Sequence, residues 1–508
     1  MRRPFQILRA AAVTLCLLTA ATPASASAGP SPSPPASTTG AEAALAVPSD
    51  LTAKEVDFRG SGGLAMRGTV LSPAEGPAKA PAEGRAKRGP GRPGIVLVHG
   101  SGAGVPRAKL REEAVAFARQ GLSVLIYDKR SEGYSLFRRS YSQLADDALG
   151  AVAALRSQPG VDPAGVGVWG FSEGGWVAPI AASRSAEVAF VVLVGANGMP
   201  PLRQQTWAVA AGLRKAGVSG PLVERAEPAM YRLIADGGMF PEPYHDPGPV
   251  LAAVRQPVLG IWGVHDLLTP PQENPPLVAR ALEEGGNRRY AFHFFPDADH
   301  AAHRTPDGGV TRLPELAPGY ADLVGSWVGD VTAGRAPAAR TSGPAPVQDS
   351  VSVPAEPPAW WESAPVQLAA LVLFTVAFAA YPLVALVRRL RGRSRRPVTR
   401  AARLLAATGA ATVLGSFIYL FYVLMTGGKL AAPGPVAAGR PLIWLALQAL
   451  AVTCVAATVL TASAWYRSRG SADPARPGER GERVRLGLLL AGGVAFVPWA
   501  LYWGLLLP

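Results

Sequence analysis

Val166-Gly167-Val168-Trp169-Gly170-Phe171-Ser172-Glu173-Gly174-Gly175 decides the fold of this chain. A short apolar, β-branched run enters Gly-x-Ser-x-Gly directly, and an Ala-rich stretch follows to about Ala182. The pattern predicts a buried strand, a sharp turn and a helix. In such a turn the serine is strained and side chains two positions either side would collide, so both places require glycine. The hydroxyl then projects from the sheet above a helix N-terminus, where backbone N–H groups favour developing negative charge. The pentapeptide alone is weak evidence, because Gly and Ser are common in ordinary turns.

Working outward, strands and helices alternate. Strands are expected at 55–58 and 64–70, joined by Gly60–Gly63, then at 94–98, 122–127, 166–169, 188–194, 257–262 and 290–295. Helices are expected at 108–120 and 141–157. This order implies an α/β fold with a mainly parallel sheet covered on both faces. Residues 197–250 break the alternation with helical stretches near 202–216 and 222–235. They read as a small helical cap over the carboxyl edge of the sheet, where substrates bind in such folds.

A serine nucleophile needs a base, and the base needs an orienting acid. Of six histidines, His300 comes first after the last strand, among small residues, with His303 the runner-up. No further ligand motif supports reading the pair as a metal site. Asp266, just past the strand before last, is the expected acid. Asp297 and Asp299 compete but lie close to the base in sequence. Ser172, Asp266, His300 is the chain order expected with this elbow. The oxyanion hole needs two fixed donors, assigned to the backbone N–H groups of Glu173 and of Ser101, the latter preferred to Gly102. Gly100-x-Gly102-x-Gly104 has the wrong spacing for a dinucleotide fingerprint. The chemistry calls for no metal or organic cofactor.

Residues 53–330 resemble α/β-hydrolases, most closely bacterial esterase, dienelactone-hydrolase-like and acylaminoacyl-peptidase-like members. The resemblance is carried by His99-Gly100-Ser101-Gly102, Tyr127-Asp128-Lys129-Arg130, Gly170–Gly175, Gly263-Val264-His265-Asp266 and Asp299-His300. It implies an eight-stranded, mostly parallel sheet and an acyl-enzyme mechanism. Two departures bear on the pocket: Arg130-Ser131-Glu132-Gly133 replaces the commoner Arg-Gly-x-Gly, and Phe171 stands where such esterases often carry His.

The flanking sequence has a different character. Only 17% of the 508 residues are charged, against roughly 25% in an average soluble protein. Two cysteines, Cys16 and Cys454, exclude a disulfide framework and a cysteine zinc module. The net charge of +14 resides in three clusters: +3 at Arg2, Arg3 and Arg9, +8 over Arg388–Arg403, and +3 over Arg467–Arg485. All three adjoin apolar runs, which argues against nucleic acid as the partner. Met1–Ala28 reads as a signal peptide with A-x-A sites ending at Ala26 and Ala28. Residues 29–50 read as a disordered linker and 331–363 as a Pro/Ala-rich linker.

Pro365–Val387, Leu404–Met425, Pro441–Tyr466 and Leu486–Pro508 each suffice to span a bilayer and carry no ionisable Asp, Glu, Lys, Arg or His. They predict an all-α transmembrane bundle over 364–508, which reads as an anchor or assembly domain. The positive-inside rule puts both inter-helix basic segments in the cytoplasm and residues 29–363 outside, the topology a signal peptide also requires. The 43 Arg against 7 Lys suggest a high-GC bacterial source. The expected protein is therefore an exported serine hydrolase of a bacterial cell membrane, acting on a small-molecule ester, lipid or peptide. Three alternatives stay open: a peptidase, an acyltransferase or thioesterase on the same triad, and a non-catalytic scaffold.

Overall fold

The structure is a computed structural model that describes residues 46–74, 91–135, 137–335, 337–392, 399–427, 433–468 and 479–508. The expected signal peptide and residues 29–45 of the expected linker lie outside the described residues.

Among the described residues nine strands form one sheet, in the order β1-β2-β4-β3-β5-β6-β7-β8-β9. These are β1 (Leu51–Arg59), β2 (Ala65–Pro73), β3 (Arg92–Val98), β4 (Ser123–Tyr127), β5 (Val161–Phe171), β6 (Val191–Val194), β7 (Val258–Gly263), β8 (Tyr290–Phe295) and β9 (Arg340–Ser342). β1 and β2 pair antiparallel, as do β2 and β4, whereas the ladder from β4 through β3 to β9 is parallel. β3, β4, β6 and β7 are buried almost throughout. This explains their continuous apolar runs, since a parallel strand hides both faces.

Helices α1 (Arg111–Arg119), α2 (Tyr141–Arg156) and α3 (Gly174–Arg184) follow β3, β4 and β5. Three more, α4 (Pro201–Lys215), α5 (Glu227–Asp236) and α6 (Gly248–Ala253), lie between β6 and β7. α7 (Asn274–Glu284) precedes β8, and α8 (Tyr320–Thr332) follows it. α2, α3, α6 and α7 pack together on one face, and α1 with α8 on the other. On that second face Trp169 Nε1 donates to Tyr320 OH at 2.9 Å, and the Phe117 ring meets Tyr320 edge-on.

The segment expected as a linker departs from that expectation. α8 runs to Thr332, and β9 adds a short strand beside β8. Residues 347–352 are then stitched to the hydrolase body. Val347 N donates to Val264 O at 2.9 Å, Gln348 Nε2 to Glu273 Oε1 at 2.6 Å, and Trp207 Nε1 to Ser350 O at 2.8 Å. Arg203 Nε donates to Ser352 Oγ at 2.7 Å. A Pro/Ala/Ser composition hides this strap, because its bonds run through backbone and small polar groups rather than a buried apolar face.

Four further helices, α9 (Ala364–Leu390), α10 (Arg400–Met425), α11 (Leu442–Ser468) and α12 (Glu479–Tyr502), complete the described chain. Each contains a stretch long and apolar enough to cross a membrane. Phe374, Phe378, Phe496, Trp499 and Trp503 fill the space between them. Trp360 and Trp361, just before α9, are exposed.

The cap does not form a core of its own. Leu202, Val209, Leu213, Leu222, Val223, Met230 and Tyr231 belong to the same buried cluster as Phe374, Phe378, Leu420, Leu424, Trp444 and Trp503. Polar contacts reinforce the junction. Asp236, ending α5, accepts the Ala364 N–H that opens α9, at 2.7 Å. Arg232 faces Glu362 at 3.4 Å, and Ser219 N donates to Gly439 O at 2.8 Å.

Candidate active site

Ser172 follows β5 with φ at 54°, a left-handed conformation that a non-glycine residue adopts only when its surroundings compel it. Ser172 N donates to Val194 O at 2.9 Å, which ties the elbow to the end of β6. A Cβ on Gly170 would lie 2.1 Å from Gly174 O, and one on Gly174 would lie 2.6 Å from Val98 O. The two glycines thus permit the close approach of strand end, elbow and helix start. α3 begins at Gly174, directly beyond the serine.

Asp266 sits after β7 and is 1% exposed. Its Oδ1 accepts the N–H groups of Leu268 and Thr269, each at 2.8 Å, and Thr269 Oγ1 donates to Oδ2. His300 Nδ1 also meets Oδ2, at 2.8 Å. An ionised carboxylate can only accept, so Nδ1 carries the proton and Nε2 presents a lone pair. His300 Nε2 is buried and has no hydrogen-bond partner among the described residues.

Two contacts bring Ser172 and His300 to the same end of the sheet. The Phe171 ring packs on the imidazole at 5.1 Å between centroids. Gly195, one residue past the Val194 carbonyl that holds Ser172, touches the imidazole so closely that a Cβ would lie 2.7 Å from its atoms. The acid and base loops are also knitted together, with Val264 N donating to Phe295 O and His265 N to Ala298 O, both at 3.0 Å.

The competing residues are engaged elsewhere. His303 spends both ring nitrogens, on Glu113 Oε1 at 3.1 Å and Leu313 O at 3.0 Å. Burial opposes a charge on His303, but the Glu113 carboxylate outweighs it and raises its pKa. Asp299 accepts from Ala301 N, His303 N and Arg312 Nε, which shapes the loop around His300. Sequence reasoning weighed Asp299 only as a rival acid; loop shaping has no signature in spacing.

His99 opens the loop after β3. Its Nε2 donates to Tyr127 O at 2.7 Å. Burial, aided by the nearby Lys129 charge, lowers its pKa to about 4. The unfolded chain therefore binds the proton more tightly, and His99 costs stability as pH falls from about 6.5 towards 4. A shift of this size corresponds to about 3 kcal/mol. The expected result is that His99→Gln has a flatter unfolding-temperature profile than wild type between pH 7 and 4.5. Parallel profiles would remove His99 from this account.

Residues 112–313 match the prolyl oligopeptidase family of serine peptidases. Over 148 residues the chain is 33% identical to thiohydrolase aneE of Aspergillus aculeatus, covering 28% of this chain and 41% of that protein. It is 32% identical over 146 residues to polyketide transferase claH of Penicillium crustosum, covering 28% and 44%. The chain thus spans less than half the length of these curated relatives. A puromycin-hydrolyzing peptidase of Mycobacterium tuberculosis aligns over 58% of this chain and 41% of that one, at 20% identity and a TM-score of 0.39. The mostly parallel sheet has the α/β-hydrolase fold, and the family it matches is one of serine hydrolases. Its central segment matches the prolyl oligopeptidase family, and four candidate membrane helices follow it.

Proposed function

We propose that the protein is an exported, membrane-tethered serine hydrolase that cleaves carboxylic ester or amide bonds through an acyl-enzyme. The reading rests chiefly on the buried Asp266–His300 hydrogen bond at 2.8 Å, at the sheet end that carries the strained Ser172. Ser172 Oγ attacks the carbonyl carbon while its proton passes to His300 Nε2. The carbonyl oxygen becomes an oxyanion held by the N–H groups of Ser101 and Glu173. The carbon–leaving-group bond then breaks, and His300 returns the proton to the departing alcohol or amine. Water, deprotonated by His300, attacks the acyl-enzyme and restores Ser172. Asp266 holds the imidazole tautomer throughout. Gly102 N–H already donates to Tyr134 OH at 3.2 Å, which favours Ser101 as the second donor.

Asp266→Asn tests the tautomer argument. An amide presents its NH₂ or a weaker acceptor to Nδ1, so kcat should fall by about 10³–10⁴ with the fold intact. Near-normal turnover of folded Asp266→Asn would remove Asp266 from the mechanism.

The names of the curated relatives, a thiohydrolase and a polyketide transferase, support a second reading with an acyl thioester donor and a carrier or alcohol acceptor. Matched oxyester and thioester substrates, with and without an added alcohol, separate the two. On the membrane side we propose cleavage of the signal peptide near Ala26 or Ala28. Arg388–Arg403 and Arg467–Arg485 then face the cytoplasm, and the hydrolase domain and cap lie outside.

A further inference from the structure

Glu173 has an unusual double position. Its N–H lies at the elbow, whereas its side chain turns inward and the residue is 1% exposed. There the carboxylate takes three donors: Lys129 Nζ at 2.5 Å, Tyr134 OH at 2.8 Å and Arg139 NH1 at 2.7 Å. Lys129 and Tyr134 are themselves buried. Two of these donors also grip the other wall of the site. Lys129 Nζ donates to Gly100 O at 2.6 Å, and Tyr134 OH accepts from Gly102 N–H at 3.2 Å.

The Gly100 carbonyl and the Ser101 N–H belong to one peptide group. In a trans peptide these two bonds point in opposite directions, so holding the oxygen aims the N–H. A cation on the carbonyl also polarises the peptide and strengthens its N–H as a donor. We propose that Lys129, Glu173 and Tyr134 are positioning residues that lock the two backbone donors of the oxyanion hole at a fixed separation. The proposal rests on the serine-hydrolase reading above. Lys129 joins the Ser101 peptide to the side chain of Glu173, and Tyr134 closes the same connection through Gly102. The clamp acts through its charge and geometry, so it stabilises the transition state more than the bound substrate.

A purely structural ion pair makes the opposite prediction. Replacing a buried pair by uncharged groups of similar volume is often neutral or stabilising. Two variants of the full chain in detergent separate these cases. Tyr134→Phe removes one hydroxyl and leaves no charge unpaired. Lys129→Met, Glu173→Gln and Arg139→Met together remove all three charges of the cluster and leave an amide for Tyr134. An entire oxyanion donor is worth about 10²–10³ in kcat. We expect kcat to fall about tenfold in Tyr134→Phe and about thirtyfold or more in the triple variant, as misaimed but present donors would give. KM should stay within about twofold, the rate of fluorophosphonate labelling at Ser172 should fall with kcat, and unfolding temperatures should match wild type. A folded triple variant with wild-type kcat, or a loss confined to KM, overturns the clamp. Wild-type protein that neither turns over ester nor labels at Ser172 overturns the hydrolase reading and the clamp with it.

Discussion

Ser172→Ala in the full chain is expected to lower kcat on p-nitrophenyl esters by roughly 10⁴–10⁶. Labelling by a fluorophosphonate should vanish with it. The magnitude follows from the covalent step: no other hydroxyl stands at the end of β5 in a strained elbow that forbids relaxation away from the substrate. Fold and stability should be retained, because an alanine Cβ meets the same left-handed backbone strain at position 172 that the serine does. A series of acyl chain lengths run on wild type would size the acyl pocket in the same experiment. If the alanine variant keeps more than a tenth of wild-type turnover, the acyl-enzyme mechanism is wrong.

The second large effect concerns the cap. A chain ending at residue 363 is expected to aggregate, or to unfold more easily than the full chain in detergent. Leu202, Val209, Leu213, Leu222, Val223 and Met230 share one cluster with residues of the apolar helices, so the cut uncovers part of each neighbour's partner surface. Fully burying one such side chain contributes about 1.5–3 kcal/mol. Re-exposing even three costs on the order of 5 kcal/mol, comparable to the whole net stability of many domains. The Asp236 and Arg232 contacts go with the helices. Size-exclusion chromatography and thermal unfolding check this: aggregation, or an unfolding temperature lowered by at least about 5–10 °C, is expected. A monodisperse fragment as stable as the full chain would mean that the cap closes its own core.

The succession of strands along the chain and the turn after β5 were legible because both depend on local pattern. Val166–Trp169 carries no polar side chain because that part of β5 is buried, and Gly170 and Gly174 flank the serine for steric reasons visible in five residues. Asp266 and His300 were picked out as candidates by their places after β7 and β8, and one hydrogen bond joins the two side chains. The role of Glu173 beyond its N–H was not legible. Its partners, Lys129, Tyr134 and Arg139, lie 34 to 44 residues away, and nothing local marks a buried acid that three donors converge on. The cap also misled in one respect. Leu213, Leu222 and Met230 carry the spacing of any amphipathic helix, which specifies that a face is buried but not what buries it. The strap at 347–352 was invisible for a third reason: its composition is that of a linker, and its hydrogen bonds reach residues 75 to 149 positions earlier.

That strap has a kinetic consequence. A hydrolase domain on a loose linker sweeps a hemisphere and meets substrate at a concentration set by the linker's reach. Here the chain between sheet and first apolar helix is fastened to β7, α4 and Glu273. In the tethered arrangement proposed above, Ser172 is held at one height and samples a thin layer rather than a volume. For a substrate confined to that layer, encounter follows surface density and lateral diffusion, and dilution of the bulk solution leaves the rate unchanged.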